Sequence, residues 1–258
     1  MDSFTLTKWY QDSVDPAGRA AIAYSTALGW RGLTMSWHAV ALYEPGCPPR
    51  ERSTLARTAL PSHENGRIVW RPRALGATFF TDPLLERFHV RFLDDGRGIV
   101  DWTCEAGAAR TSVALGGCSV EGLGYAERLL LTVAPWRLPI DEMRWGRWIS
   151  ADGRRSVVWI DWRGPEPATA VFVDGVRQPR AVVTDDRVTA DRLVLTLSSP
   201  RVLHARSIGD IVGRIRPLRA LVPASWLAVE DRKCLSEGAL DGPDPATGWA
   251  IHEIVRFP

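Results

Sequence analysis

The chain has 258 residues, 45% of them apolar and 24% charged, with a formal net charge of +2. That composition is globular rather than disordered or membrane-spanning, and 32 basic residues interleaved with 30 acidic ones lack the single-sign field that nucleic-acid binding needs. The length suits one large barrel or two domains of about 100 to 150 residues.

No N-terminal stretch joins a basic start to an apolar run, and no uncharged run is long enough to cross a bilayer. A cytoplasmic protein without integral membrane association is therefore expected. Cys47, Cys104, Cys118 and Cys234 form no C-x-x-C pair, which predicts free thiols rather than a zinc knuckle or a disulfide framework. His38, His63, His89, His204 and His252 show no ligand spacing, so no metal site is expected. A G-x-S-x-G elbow, a Walker loop and a dinucleotide fingerprint are all missing, and no cofactor is predicted.

Taken in chain order, β-favouring runs predict strands over 20–25, 33–42, 67–70, 88–93, 99–105, 110–115, 124–133, 145–150, 156–162, 168–173, 192–197 and 251–257, about a dozen in all. The pairs Asn65-Gly66, Asp95-Gly96, Asp152-Gly153, Asp174-Gly175 and Asp241-Gly242 supply turn residues that tolerate positive φ. Helical periodicity is scarce before residue 205. In the stretch 207–236, Ile208, Ile211 and Ile215 have helical spacing but Pro217 and Pro223 interrupt it, so at most short helices are expected there. The fold class is accordingly all-β. Pro135 and Pro139 bracket the best internal boundary, which divides the chain into 1–135 and 136–258. One segment in each half, beginning at Gly18 and at Gly153, leads from a turn into an apolar strand, a faint sign of duplication that chance similarity explains equally well.

The chain carries 12 tryptophans, several times the usual content, and such rings suit a wide interior lined by large oriented side chains. They gather over 136–162, beside the acids, arginines and tyrosine of two segments, 122–128 and 136–148. On a strand Tyr125 and Glu127 share a face, as do Arg144 and Gly146, or Trp145 and Arg147. Glu127 is a candidate proton donor or base tuned by Arg144 or Arg147; the competing reading is an ion pair that closes the end of a barrel. Trp145 and Trp148 are packing residues or ligand platforms. Trp159 and Asp161 share a face, so Asp161 is either an acid beside an indole in a lumen or a solvated residue before a turn. The ends of the chain hold Trp9-Tyr10-Gln11-Asp12 and the run from Gly248 to Glu253, with His252 able to titrate near neutrality.

Three of these segments resemble the carotenoid 1,2-hydratase (hydroxyneurosporene synthase) and AttH-like family: the opening Trp9-Tyr10-x-Asp12 with Gly18, the central Gly122-x-Gly124-Tyr125, and Val157-Val158-Trp159-x-Asp161. The resemblance implies two lipocalin-like antiparallel β-barrel, or barrel and sandwich, halves. It also implies an apolar substrate and Asp161 as the acid that protonates a carbon–carbon double bond, with Trp159 where the family carries a phenol. After Tyr125, where the family continues with acidic and histidine residues, this chain reads Ala126-Glu127-Arg128. Related lipocalin-like folds include cyclases and pericyclases that act largely by positioning.

These readings converge on a cofactor-independent hydratase, lyase, isomerase or cyclase for an apolar isoprenoid or polyketide-type molecule. Asp161, Glu127 and Tyr125 are its candidate catalytic residues, and Trp145, Trp148, Trp159, Arg144 and Arg147 its candidate substrate-binding residues. A non-catalytic carrier of a hydrophobic ligand and a solid, ligand-free barrel are the alternatives. Oligomeric state stays open.

Overall fold

A computed structural model describes residues 4–212 and 222–257. The chain is built almost wholly from antiparallel strands and forms two compact units, one comprising Met1–Pro135 with Ala151–Ser156, the other Trp136–Ser150 with Val157–Pro258.

The first unit contains β1 (Phe4–Val14), β2 (Ala20–Trp30), β3 (Leu33–Tyr43), β4 (Arg50–Thr54), β5 (Ser62–Glu64), β6 (Arg67–Trp70), β7 (Ala77–Pro83), β8 (Phe88–Asp95), β9 (Gly98–Leu115) and β10 (Cys118–Leu131). The second holds β11 (Glu142–Ser150), β12 (Ser156–Arg163), β13 (Ala168–Val173), β14 (Val176–Gln178), β15 (Ala181–Val183), β16 (Arg187–Ala190), β17 (Leu193–Ser207), β18 (Glu230–Asp241) and β19 (Ala246–Arg256). Two short helices, α1 (Ile208–Val212) and α2 (Ala224–Leu227), follow β17 and Pro223, as the prolines of that stretch lead one to expect. Ile215 and Pro217 lie outside the described residues.

The all-β class of the sequence reading holds, but the expected dozen strands become nineteen among the described residues. Short edge strands such as β4 and β14 were invisible, and two long ones were left unassigned. β1 reads as a polar segment because Gln11, Asp12 and Ser13 are buried in it, and β18 opens on Glu-Asp-Arg-Lys, which resembles a loop until its partners are known.

Strand order is β4-β3-β2-β1-β10-β9-β7-β6-β5 in the first sheet and β14-β13-β12-β11-β19-β18-β17-β16-β15 in the second. The two orders superimpose element by element, β1 on β11, β2 on β12, β10 on β19 and β9 on β18. The first sheet adds β8, which pairs with β9 over Gly98–Cys104 while β7 pairs with the same strand over Ala109–Leu115, so that edge is forked.

Both sheets bury one face in an apolar core. In the first, Ala21, Ala23, Val40, Leu42, Trp70, Phe79 and Val113 pack together, beside a smaller group around Trp9 and Ala126. In the second, Trp148, Val157, Trp159, Val171, Leu195 and Leu240 do so. Burying such side chains contributes roughly 1.5–3 kcal/mol each. Trp159 lies over Gly146, where a Cβ would collide with the indole, so the small residue on β11 makes room for the large one on β12.

The turns explain part of the register. Asn65-Gly66 and Asp174-Gly175 both take positive φ at both positions, 51° and 80° in the first and 52° and 80° in the second, the geometry of two-residue hairpins. Arg31-Gly32, at 50° and 76°, does the same between β2 and β3 without an Asn or Asp to announce it.

Candidate functional site

Register places Tyr10 opposite Glu127 and Glu127 opposite Cys104 in the first unit. Their side chains stand on the face away from the Ala23, Val40 and Phe79 core. There Glu127 Oε2 accepts hydrogen bonds from Trp102 Nε1 at 2.6 Å and from the Tyr125 hydroxyl at 2.9 Å. Tyr125 is fully buried and Glu127 is 7% exposed. Burial first, then the charges of Cys104 and Glu127, push the Tyr125 hydroxyl well above its usual range, so it remains a donor. The Cys104 thiol, hydrogen-bonded to Tyr125, is likewise raised, mainly by burial. Tyr10 extends the patch, its ring 6.2 Å from that of Tyr125 and 5.4 Å from that of Tyr24, and Tyr24 continues to Trp37 at 5.9 Å. The result is a carboxyl group at the edge of a buried aromatic cluster.

The opposite, core-side face of the same sheet is also partly polar. Gln11 Nε2 donates to Thr81 Oγ1 at 3.1 Å, Ser25 Oγ pairs with His38 Nδ1 at 2.8 Å, and Glu105 faces His63 and Arg128, each at 3.2 Å.

The other predicted residues belong to the second unit. Trp148 is fully buried in the core and its Nε1 donates to the Gly238 carbonyl at 3.1 Å; Trp159 packs in the same cluster. Asp161 does share the face of Trp159, but Thr169 Oγ1 donates to its Oδ1 at 2.6 Å and Arg163 Nε to its Oδ2 at 2.8 Å. Both oxygens are engaged in an ion-paired network that runs on through Arg163 and Glu142 to Arg144, which also pairs with Asp185. Arg147 donates to the Trp249 carbonyl at 2.9 Å. The structure thus brings Tyr125 and Glu127 together and separately gathers Arg144 and Asp161 around Glu142 and Arg163.

Trp145 leads to residues the sequence reading missed. Its ring lies 4.5 Å from Lys233 Nζ, which donates to Glu253 Oε2 at 2.7 Å. His204 Nε2 lies 3.0 Å from Asp231 Oδ2 beside them. Spacings of 27 residues between His204 and Asp231 and 20 between Lys233 and Glu253 hid this group, and the pairing of β17, β18 and β19 assembles it. The alternation Asp231-x-Lys233 was the one available signal. Asp231 is desolvated, which opposes ionisation, yet the hydrogen bond from His204 and the charge of Lys233 hold its carboxyl well below the usual range. His204 is lowered, first by burial and further by Lys233 and Arg206, against the pull of Asp231.

His204, Asp231 and Glu253 each offer a ligand atom within 4.8 Å of the others, a convergence not expected from histidine spacing. The Lys233 ammonium already supplies the cation at this place, which disfavours a metal ion. His252, expected to titrate near neutrality, is instead lowered to about 4 by burial and by the nearby charges of Lys233 and Arg232; it pairs with Ser236 at 2.9 Å. All four cysteines are free. No helix among the described residues is long and apolar enough to cross a membrane.

Glu127 and Glu253 hold corresponding positions. Each stands on the strand equivalent to the other, opposite an aromatic residue, Tyr10 or Trp145, on the equivalent neighbour. Five residues before each lies a glycine, Gly122 or Gly248, where a Cβ would collide with the Val14 or Ile149 carbonyl oxygen. Ser25–His38 and Asp161–Thr169 are a second matched pair, cross-strand neighbours on β2 and β3 or β12 and β13.

Three solved structures match nearly the whole chain. A putative AttH from Nitrosomonas europaea is 13% identical, with a TM-score of 0.57 over 96% of this chain and 92% of its own. Kievitone hydratase from Nectria haematococca is 8% identical, with a TM-score of 0.54 over 97% and 88%. CghA, crystallised with Sch210972, is 11% identical, with a TM-score of 0.54 over 99% and 89%. The chain has their lipocalin-like fold. At these identities the likeness is one of fold, distant from each of them in sequence, and it agrees with the resemblance carried by Trp9, Gly122, Tyr125 and Asp161. No family profile and no curated protein sequence matches the chain.

Proposed function

We propose that this lipocalin-like protein binds an apolar small molecule of isoprenoid or polyketide type and transforms it, by hydration, isomerisation or cyclisation, through acid–base chemistry and positioning. The observation that carries this reading is the Glu127 carboxyl, 7% exposed and oriented by two neutral donors, Trp102 at 2.6 Å and Tyr125 at 2.9 Å, at the border of a buried tyrosine-rich cluster. Two such donors fix the direction in which a carboxyl group points, as proton transfer to or from a bound molecule requires. Asp161 is tied to Thr169 and Arg163, so in this proposal it organises its barrel and Glu127 moves the proton. That one protein of this fold is a hydratase and another was crystallised with Sch210972 supports small-molecule chemistry.

The test uses geranylgeraniol as probe, followed by tryptophan fluorescence and then by mass spectrometry of the recovered molecule. Binding with gain of one water, or with an isomeric product of altered retention, is the expected result. Glu127→Gln should lower turnover by about 100-fold, the scale of one general acid or base, with binding retained; Asp161→Asn should have the smaller effect. Binding with unchanged recovery would instead make the protein a carrier.

A further inference from the structure

In the second unit, the buried group on β17, β18 and β19 presents two acceptors with nothing to accept, His204 Nδ1 and Asp231 Oδ1. The side chains of His204, Asp231, Lys233 and Glu253 are 10%, 11%, 1% and 9% exposed. The Asp231 carboxylate can only accept, so a neutral His204 ring carries its proton on Nε2 and directs it to Asp231, 3.0 Å away. That leaves the lone pair on Nδ1. Nδ1 is buried, and no described residue donates to it. Buried acceptors are rarely left so, and the arrangement, with a carboxylate fixing one nitrogen while the other is open, is the way a protein sets an imidazole to receive a proton.

We propose that His204 Nδ1 is the acceptor for an acidic hydroxyl, phenolic or enolic, on a small molecule bound in the second unit, and that Asp231 is the positioning residue behind it. The inference rests on the small-molecule reading above. The charges nearby select the donor. Asp231 draws a proton onto His204 while Lys233 and Arg206 oppose it, and an oxygen that gains negative charge as it gives up its proton would meet those two cations. In the step itself the ligand O–H bond breaks, its electron pair stays on oxygen, and the proton passes to Nδ1; the resulting imidazolium keeps its Nε2–H on Asp231. The reverse transfer restores both partners, and no oxidant or further reactant is involved.

The probes are 4-nitrophenol, whose absorption differs between phenol and phenolate, and 4-nitroanisole, which has the same ring without the hydroxyl. Wild-type protein is expected to bind both and to shift bound 4-nitrophenol toward the phenolate band at a pH where the free probe is mostly phenol. His204→Gln should abolish that shift and weaken 4-nitrophenol about tenfold, leaving 4-nitroanisole unchanged. Asp231→Asn should retain binding and move the phenol–phenolate midpoint. Equal affinity and identical spectra in wild type and His204→Gln overturn the assignment, as does an equal loss for both probes, since the ring would then only be packing. If neither probe binds the wild-type protein, the small-molecule reading itself fails. Should His204→Gln not fold, the midpoint in Asp231→Asn decides alone: an unmoved midpoint overturns the proposal.

Discussion

The two units are the same drawing filled in with different chemistry. Glu127 accepts hydrogen bonds from Trp102 and Tyr125 and faces Cys104; Glu253, in the matching register, faces Lys233 and is ion-paired with it. On the core-side faces the contrast recurs, Ser25–His38 in one sheet standing where Asp161–Thr169, drawn into an arginine network, stands in the other. The backbone needs only a small residue at Gly122 and Gly248 and a bend at Gly18 and Gly153, with φ of 76° and 75°. A conserved wiring diagram therefore leaves the polar side chains free to diverge, and a carboxyl at one place in the fold can be tuned by hydrogen bonds in one copy and by a counter-ion in the other.

The largest test of that contrast lies at the pair of residues facing the two glutamates. Lys233→Met leaves Glu253 buried without its counter-ion and should cost about 3–5 kcal/mol, read from urea denaturation, whereas Cys104→Ala should cost only about 1 kcal/mol. Replacing both partners, Lys233→Met with Glu253→Leu, should recover most of the loss. Equal effects at positions 104 and 233 would erase the distinction between the neutral and the charged copy.

Acid comes next. His252 has a folded-state pKa of about 4 against roughly 6.5 in an unfolded chain. Above the unfolded value both states are neutral and stability is independent of this group. As pH falls from about 6.5 to 4 the unfolded chain takes up the proton first, and about 3 kcal/mol is lost. His204, also lowered, acts in the same direction. His252→Gln should flatten the urea midpoint over that window; an unchanged slope would show that the ring is protonated in the folded state. In the first unit His38, lowered by burial, is a matching weakness.

The smallest expected effects are at the matched glycines. Gly122→Ala and Gly248→Ala both set a methyl group against a backbone carbonyl and should each cost about 1–3 kcal/mol. A normal midpoint in one and a loss in the other would break the correspondence of the two registers.

Much of this was legible in the residues, for definite reasons. Asn65-Gly66 and Asp174-Gly175 announce their turns because the side chain and the dihedral agree, and 156–162 announces a strand because its buried face is Val and Trp. Tyr125 and Glu127 could be paired from alternation alone. β18 could not be seen: Asp231 and Lys233 look like surface residues until β17 and β19 supply His204 and Glu253. Asp161 illustrates the converse, since its face was readable but Arg163 and Thr169, which occupy its oxygens, depend on how the chain folds back.

The fork in the first sheet bears on how such a protein can change. Because β9 is paired with β10 along its length while β7 and β8 share its other edge in turn, the chain between β7 and β9 can gain or lose residues without disturbing the register of Trp102, Tyr125 and Glu127. Among the described residues the second sheet has no such branch, and an insertion within the paired part of β17 or β18 would slide His204 against Asp231. The first unit thus has a place beside Trp102 and Glu127 where length can vary; in the second, the contact of His204 with Asp231 is fixed by the register of two long paired strands.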